Sequence, residues 1–377
     1  MIPIYKPWVG EEEAQAARRP LLSGWLTQGP EVKSFEDEFA DYVGAQNAVA
    51  VSNCTVALQL ALLLAGVGPG DEVITVSHSF IATANSIVYT GATPLFCDVE
   101  EGTFNLDPSL LDELMNPRVK ALLVVHQIGM PCDLQRILPW AQQHGLKVIE
   151  DAACAVGSEI LWQGEWQKIG RPHGDIACFS FHPRKLLTTG DGGMLTLGNP
   201  EWAQRARHLR QHFMTVPDTV RHGATTVVRE SFPEVGYNFR LTDIQAAVGR
   251  SQLGRLPALL ERRRAQVERY RDLLQATPLR FQHQPEWALS NWQSLAIRLP
   301  SGTDQARLMQ DLLDRGVSTR RGIMCAHREG AYAGGWRGTD LSQSERAQDE
   351  VVLLPLYHEL SEQQLETVAT ALCQSFP

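Results

Sequence analysis

From residue 47 onward the chain repeats one pattern, a short apolar run rich in β-branched residues followed by a longer segment with helical spacing. The runs are "NAVAV", "EVITV", "TPLFCDV", "KALLVVH", "KVIED", "DIACFSF" and "GMLTL". Runs so short and so continuously apolar suit strands buried on both faces, and the helical segments between them can supply the cover. The alternation predicts an α/β fold with a mostly parallel central sheet. In open sheets of this kind ligands sit beyond the carboxyl ends of the strands, so chemistry is expected there. Three of these ends carry polar groups: "NAVAV" runs into "SNCT", "KVIED" ends at Asp151, and "DIACFSF" runs out shortly before Lys185.

After residue 250 the pattern changes to a long amphipathic helix, "LPALLERRRAQVERYRDLLQA", then the strand-like "NWQSLAIRLP" and the helical "DQARLMQDLLDRGV". This predicts a large domain with an N-terminal arm over residues 1–255 and a smaller C-terminal α+β domain over 256–377. A chain of 377 residues can bury a substantial core in each. Its 44% hydrophobic and 20% charged residues are ordinary globular usage. A net charge of −9, with no zinc-finger spacing and no basic tail, argues against a nucleic-acid partner. The densest basic run, "ERRRAQVERYR", has acidic residues interleaved at helical spacing and reads as a solvated helix face. No secretory pattern opens the sequence, and "VALQLALLLAGVG" is too short to cross a bilayer, so a cytoplasmic enzyme without a membrane partner is expected. The seven cysteines are scattered and form no C-x-x-C pair, and the eleven histidines show no H-E-x-x-H. Reduced thiols and no metal site are expected.

"VSNCTVALQLALLLAG" places a strand against a helix apolar on all sides. The start of such a helix offers unpaired N–H groups and the positive end of its dipole, with Ser52 and Thr55 adding hydroxyls, which suits a phosphate. Ordinary N-capping by Ser52 or Asn53 explains the same stretch without a ligand. A strand-end lysine such as Lys185 is by itself ordinarily a solvated charge. Together, however, Lys185, Asp151 and this cradle meet the three demands of pyridoxal 5'-phosphate. The cofactor needs a lysine to hold its aldehyde, a carboxylate to keep its ring nitrogen protonated, and donors for its phosphate. Ser180, five residues before Lys185, adds another hydroxyl.

Six blocks, in order, carry a closer likeness: "SGWLTQGPEVKSFEDEFADYVG", "SNCTVALQLAL", "GDEVITVSHSFIATANSI", "IEDAACAVGSE", "SFHPRKLLTTGDGGM" and "VGYNFRLTDIQAAVGRSQL". With a fainter echo at "LLPLYHELSEQQ", the chain resembles the DegT-type (DegT/DnrJ/EryC/StrS) sugar aminotransferases. The resemblance implies the fold-type I architecture of aspartate aminotransferase, a homodimer, and transfer of an amino group from glutamate to a nucleotide-linked keto sugar. At matching positions it implies that Lys185 binds the cofactor covalently and Asp151 partners the pyridine nitrogen. It further implies that Phe80 lies on the ring and that Cys54, Thr55 and Ser180 cradle the phosphate. Asn238 matches a residue that reaches the phosphate from the partner subunit, which implies shared active sites.

Two positions depart from the family pattern. Cys154 stands where glutamine or histidine commonly meets the cofactor's ring oxygen, and a thiol donates only weakly. Asp191 replaces a more frequent glutamate on a polar turn, with little consequence expected. A dehydratase branch replaces the lysine with histidine, which Lys185 argues against, and His182 is expected to be structural. "GVSTRRGIMCAHREGAY" gathers Arg320, Arg321 and His327 where some relatives face the sugar nucleotide. Arginine forks suit a diphosphate, and a surface charge cluster fits the same residues. Amination of a keto cyclitol, a dehydration on the same cofactor and, as a different class, a non-catalytic regulator stay open at this point; retention of both Lys185 and Asp151 disfavours the last.

Overall fold

A computed structural model describes residues 1–376. All seven expected runs are strands of one eight-stranded sheet. They are β1 (Asn47–Val51), β2 (Glu72–Val76), β3 (Thr93–Cys97), β4 (Val119–Val125) and β5 (Lys147–Asp151); after a hairpin of β6 (Glu159–Trp162) and β7 (Glu165–Lys168) come β8 (Ile176–Ser180) and β9 (Gly193–Leu197). Three short strands follow, β10 (Arg280–Phe281), β11 (Ala288–Leu289) and β12 (Leu295–Arg298), then β13 (Arg320–Arg321), β14 (Arg337–Gly338) and β15 (Val351–Leu354). The large sheet has the order β1-β9-β8-β5-β4-β2-β3-β14. Every neighbouring pair from β8 to β14 is parallel, whereas β9 runs antiparallel between β1 and β8.

Side chains alternate across a strand, so successive residues enter different cores. Val148, Leu122 and Ala50 join one core with Phe35 and Phe39, while Ile149, Leu123 and Val51 join the other with Leu58 and Leu62. The second core contains helix Cys54–Leu64, whose residues are mostly buried, as its apolar sequence requires. Asp151 shares the parity of Ile149, and Ser180 that of Cys178, so both belong to the face that carries this helix.

The C-terminal sheet, β10-β12-β15-β13, is antiparallel and packs with Leu308, Leu312, Val368 and Leu372 in a separate core. The division expected after residue 255 falls inside one continuous helix, Asp243–Leu274. Leu253, Leu256 and Leu260 of this helix pack in the large core, and Val267, Tyr270 and Leu274 in the small one. Both parts also exchange elements. Ile2 bridges Val317 and packs in the C-terminal core, while β14 extends the large sheet beside β3. No helix among the described residues is long and apolar enough to cross a membrane.

Candidate active site

Asp151 ends β5 in line with Val125 of β4 and Cys178 of β8, and it is only 5% exposed. Thr83 donates its hydroxyl to Asp151 Oδ2 at 2.8 Å, and the Ala153 N–H donates to Oδ1 at 3.1 Å. Ser79 Oγ lies 2.8 Å from Thr83 Oγ1, which extends the chain of hydroxyls back toward β2. Burial pushes the Asp151 carboxyl above the usual carboxylate range, and the two hydrogen bonds with the nearby Lys185 ammonium only partly oppose it. A cation placed on this carboxylate would relieve that cost.

Beyond β8 the chain loops out at Phe181 and returns at Thr189, whose N–H bonds to Phe181 C=O at 3.0 Å. Lys185 projects from this loop, and its Nζ donates to Cys154 Sγ at 2.9 Å. Cys154 lies three residues past Asp151, so the amine is brought to the carboxylate's loop although 34 positions separate the two in sequence. Burial alone would lower the Lys185 ammonium's pKa, but Cys154 and Asp151 beside it hold it above the ordinary lysine value. His182 is exposed, and its Nδ1 accepts the Arg184 N–H at 3.2 Å, a bond internal to the loop.

The third component assembles around β9. Gly193 pairs with Val51 on one side and Ser180 on the other, which brings the ends of β1 and β8 to either flank. A Cβ on Gly193 would stand 2.5 Å from Asn53 C and 2.8 Å from Cys54 N, so only glycine lets the strand lie against the helix start. Asn53 caps that helix by accepting the Val56 N–H at 3.1 Å. Among the described residues the N–H groups of Cys54 and Thr55 keep no backbone partner, as the first turn of a helix requires. The segment carrying Asn238 is anchored beside them, with Ser52 N–H donating to Phe239 C=O at 2.8 Å. Asn238 is itself exposed, and Phe80 is 68% exposed at the end of the loop after β2.

A model of the DegT/DnrJ/EryC1/StrS aminotransferase family matches residues 7–373. The chain belongs to this family. It is 37% identical to the spore coat polysaccharide biosynthesis protein SpsC of Bacillus subtilis over 380 residues, covering 98% of this chain and 96% of SpsC. The PLP-form of Spr1654 from Streptococcus pneumoniae superposes with a TM-score of 0.90 at 27% identity, covering 100% of both chains. DesI, solved in the presence of its TDP-sugar product, gives a TM-score of 0.88 at 28% identity over 98% of this chain and 92% of its own. The protein is therefore a PLP-dependent aminotransferase of the sugar aminotransferase family, with the expected fold-type I architecture.

The residues present fit the cofactor. Lys185 supplies an amine, Asp151 a buried carboxylate, and the helix start packed against Gly193 two amides without backbone partners. At the C-terminal end the expected trio is divided. Arg320 and Arg321 are exposed on β13, with Arg321 3.5 Å from Glu329. His327 is instead buried, and both ring nitrogens are engaged: Nδ1 lies 2.6 Å from Ser77 Oγ and Nε2 3.1 Å from Glu345 Oε1. Its ring thus ties the end of β2 to helix Ser342–Asp349, while the two arginines stay open to solvent. Sequence reasoning passed over Ser79 and Thr83. Their signal was present in the block "SHSFIATANSI", where a hydroxyl stands beside the expected ring-stacking Phe80 and another one helical turn later.

Proposed function

We propose that this enzyme transfers an amino group from L-glutamate to a keto sugar carried on a nucleotide, as a cytoplasmic homodimer with shared active sites. The observation that carries this reading is the meeting of Lys185, Asp151 and the Gly193 cradle at adjoining strand ends. When bound, pyridoxal phosphate supplies the electron sink that makes the donor's α-proton removable. Lys185 would hold the cofactor, and its amine, when free, would take that proton at Nζ. Asp151 keeps its charge at the ring nitrogen, held in place by Thr83 and Ala153. Phe80 and Cys154 would meet the ring, and Cys54, Thr55 and Ser180 would hold the phosphate.

Support for the shared site comes from exposure. Phe80 and Asn238 are open to solvent in the single chain, and the excursion before Asn238 exposes Val227 at 91% and Val235 at 89%. These exposed faces suit burial against a second copy, with Asn238 reaching that copy's phosphate site in the arrangement proposed here. Support for the acceptor comes from DesI with its TDP-sugar product and from the exposed Arg320 and Arg321, whose forks suit a diphosphate. The deciding experiment loads the enzyme with pyridoxamine phosphate and offers nucleotide-linked keto sugars, the same sugars free, and keto cyclitols. Return of the aldehyde-form absorbance with a nucleotide-linked keto sugar is expected. Equal turnover with the free sugars, or turnover with cyclitols alone, refutes the nucleotide assignment.

A further inference from the structure

A single buried tripeptide, Asn291-Trp292-Gln293, grips both loops of the active site. The Gln293 side chain spans the peptides on either side of Lys185: its Oε1 accepts the Leu186 N–H at 3.1 Å and its Nε2 donates to Arg184 C=O at 2.6 Å. Two residues earlier, Asn291 Nδ2 donates to Cys154 C=O and to Val156 C=O, each at 2.8 Å. Asn291 Oδ1 accepts the Gln293 N–H at 2.9 Å, which locks the two grips together. Gly129 leaves the room for this, since a Cβ there would stand 1.9 Å from Asn291 Oδ1. Trp292 between them takes a left-handed backbone, φ 51°, a conformation that costs energy for a bulky residue and persists only where its surroundings impose it. The buried Arg263 supplies that constraint, because its Nη1 donates to the Trp292 and Gln293 carbonyls at 3.0 and 3.2 Å. From the N-terminal arm, Tyr5 donates its hydroxyl to Lys185 C=O at 2.7 Å.

We propose that Asn291 and Gln293 are positioning residues that set Lys185 against the Asp151–Cys154 loop, with Tyr5 completing the hold. Neither side chain is bonded to Lys185 Nζ or to the Asp151 carboxylate; each works through backbone that carries those groups. A loop displacement of about 1 Å at a reacting group costs on the order of a hundredfold in rate, so such a clamp is worth the strain at Trp292. The proposal rests on Lys185 being the cofactor lysine.

The test uses the holoenzyme and three variants. Gln293→Met keeps the volume and deletes both bonds, and kcat is expected to fall about 30- to 100-fold with KM for the donor within about threefold. The pH midpoint of the bound cofactor's visible absorbance is expected to move with it. Gln293→Glu should recover activity as pH falls, because the protonated acid again both accepts and donates. Tyr5→Phe, which removes one hydroxyl and spares the fold, should show the same shift at about three- to tenfold in kcat. A lowered melting temperature with unchanged kcat and visible midpoint in these variants reduces the tripeptide to a structural role and overturns the proposal. Borohydride reduction and peptide mapping of the wild type separate the two failures. A cofactor on another lysine overturns the reading of Lys185, whereas a cofactor on Lys185 with unmoved variants overturns the clamp alone.

Discussion

Thr83→Val tests how the Asp151 carboxylate is held. The substitution keeps the side-chain shape and deletes the hydroxyl that donates to Asp151 Oδ2 at 2.8 Å, in a site that is buried throughout. A hydrogen bond to a charged group contributes about 1.5–3 kcal/mol, and about 1.4 kcal/mol is one pH unit of proton affinity. In the empty enzyme burial has already raised this carboxyl, and Thr83 is foremost among the groups that lower it. Removing Thr83 therefore raises it further. Below the pH at which the carboxyl is protonated, the cofactor's ring nitrogen must displace that proton, and affinity falls about tenfold per pH unit. Titration of apoenzyme with pyridoxal phosphate across pH should show this acid midpoint about one to two units higher in Thr83→Val, with Thr83→Ser restored to wild type. Stability follows the same sign. Because the folded carboxyl binds its proton more tightly than the unfolded one, its contribution to the empty protein is greatest at low pH and is lost as pH rises through the folded value. The Val variant carries that loss to higher pH. An unmoved midpoint, or identical profiles for the Val and Ser variants, would refute the role of Thr83.

Borohydride should fix the cofactor to Lys185, and Lys185→Ala should lose turnover; peptide mapping decides it, and a different modified lysine rejects the assignment. Mixing inactive Lys185→Ala and Asn238→Asp subunits should return activity to about a quarter of wild type, since about half the dimers are mixed and each mixed dimer has one intact site. No recovery, in mixed dimers isolated with two affinity tags, places Asn238 in its own subunit's site. Gly193→Ala should cost about 1–3 kcal/mol in denaturant unfolding and weaken cofactor binding, because its Cβ meets backbone at 2.5 Å. Gly254→Ala, in a helix with open space around it, should stabilise by about 0.5–1 kcal/mol, and a matching loss at both positions would discredit the contact at Gly193.

The large sheet was legible because its strands are continuously apolar, and a strand buried on both faces leaves no other way to write itself. The hairpin of β6 and β7 was not, since "EILW" and "EWQK" are partly exposed and mix charge with aromatics at no clear period. The amphipathic pattern of the long helix is plain only from Leu256, although the helix begins at Asp243. Its true start was written in "LTDIQ", where Thr242 and Gln245 form a capping box. In the site, Lys185 and Asp151 each stand near the end of an apolar run, where a lone charge is ordinary, and only their combination with the helix start pointed to a cofactor. Tyr5, Asn291 and Gln293 were not legible, because each acts on backbone carbonyls and amides more than a hundred residues away, and backbone groups have no signature in sequence. The burial of His327 between Ser77 and Glu345 was not legible either, because a buried histidine and an exposed one look alike in sequence until their partners are known.

The reversed direction of β9 sets an order of events for the newborn chain. The helix that would take the phosphate begins at Cys54, but the groove beside it is closed by Gly193, and β1 has no strand partner until residues 193–197 arrive. Joining β1 to β9 closes a loop of well over a hundred residues, the kind of distant pairing that is slow to form. During synthesis, then, the first strand waits with its hydrogen-bonding edge open while β2 to β5 assemble with partners closer in sequence. A truncation before Gly193 leaves Lys185, Asp151 and the helix on one chain without the strand that joins β1 to β8.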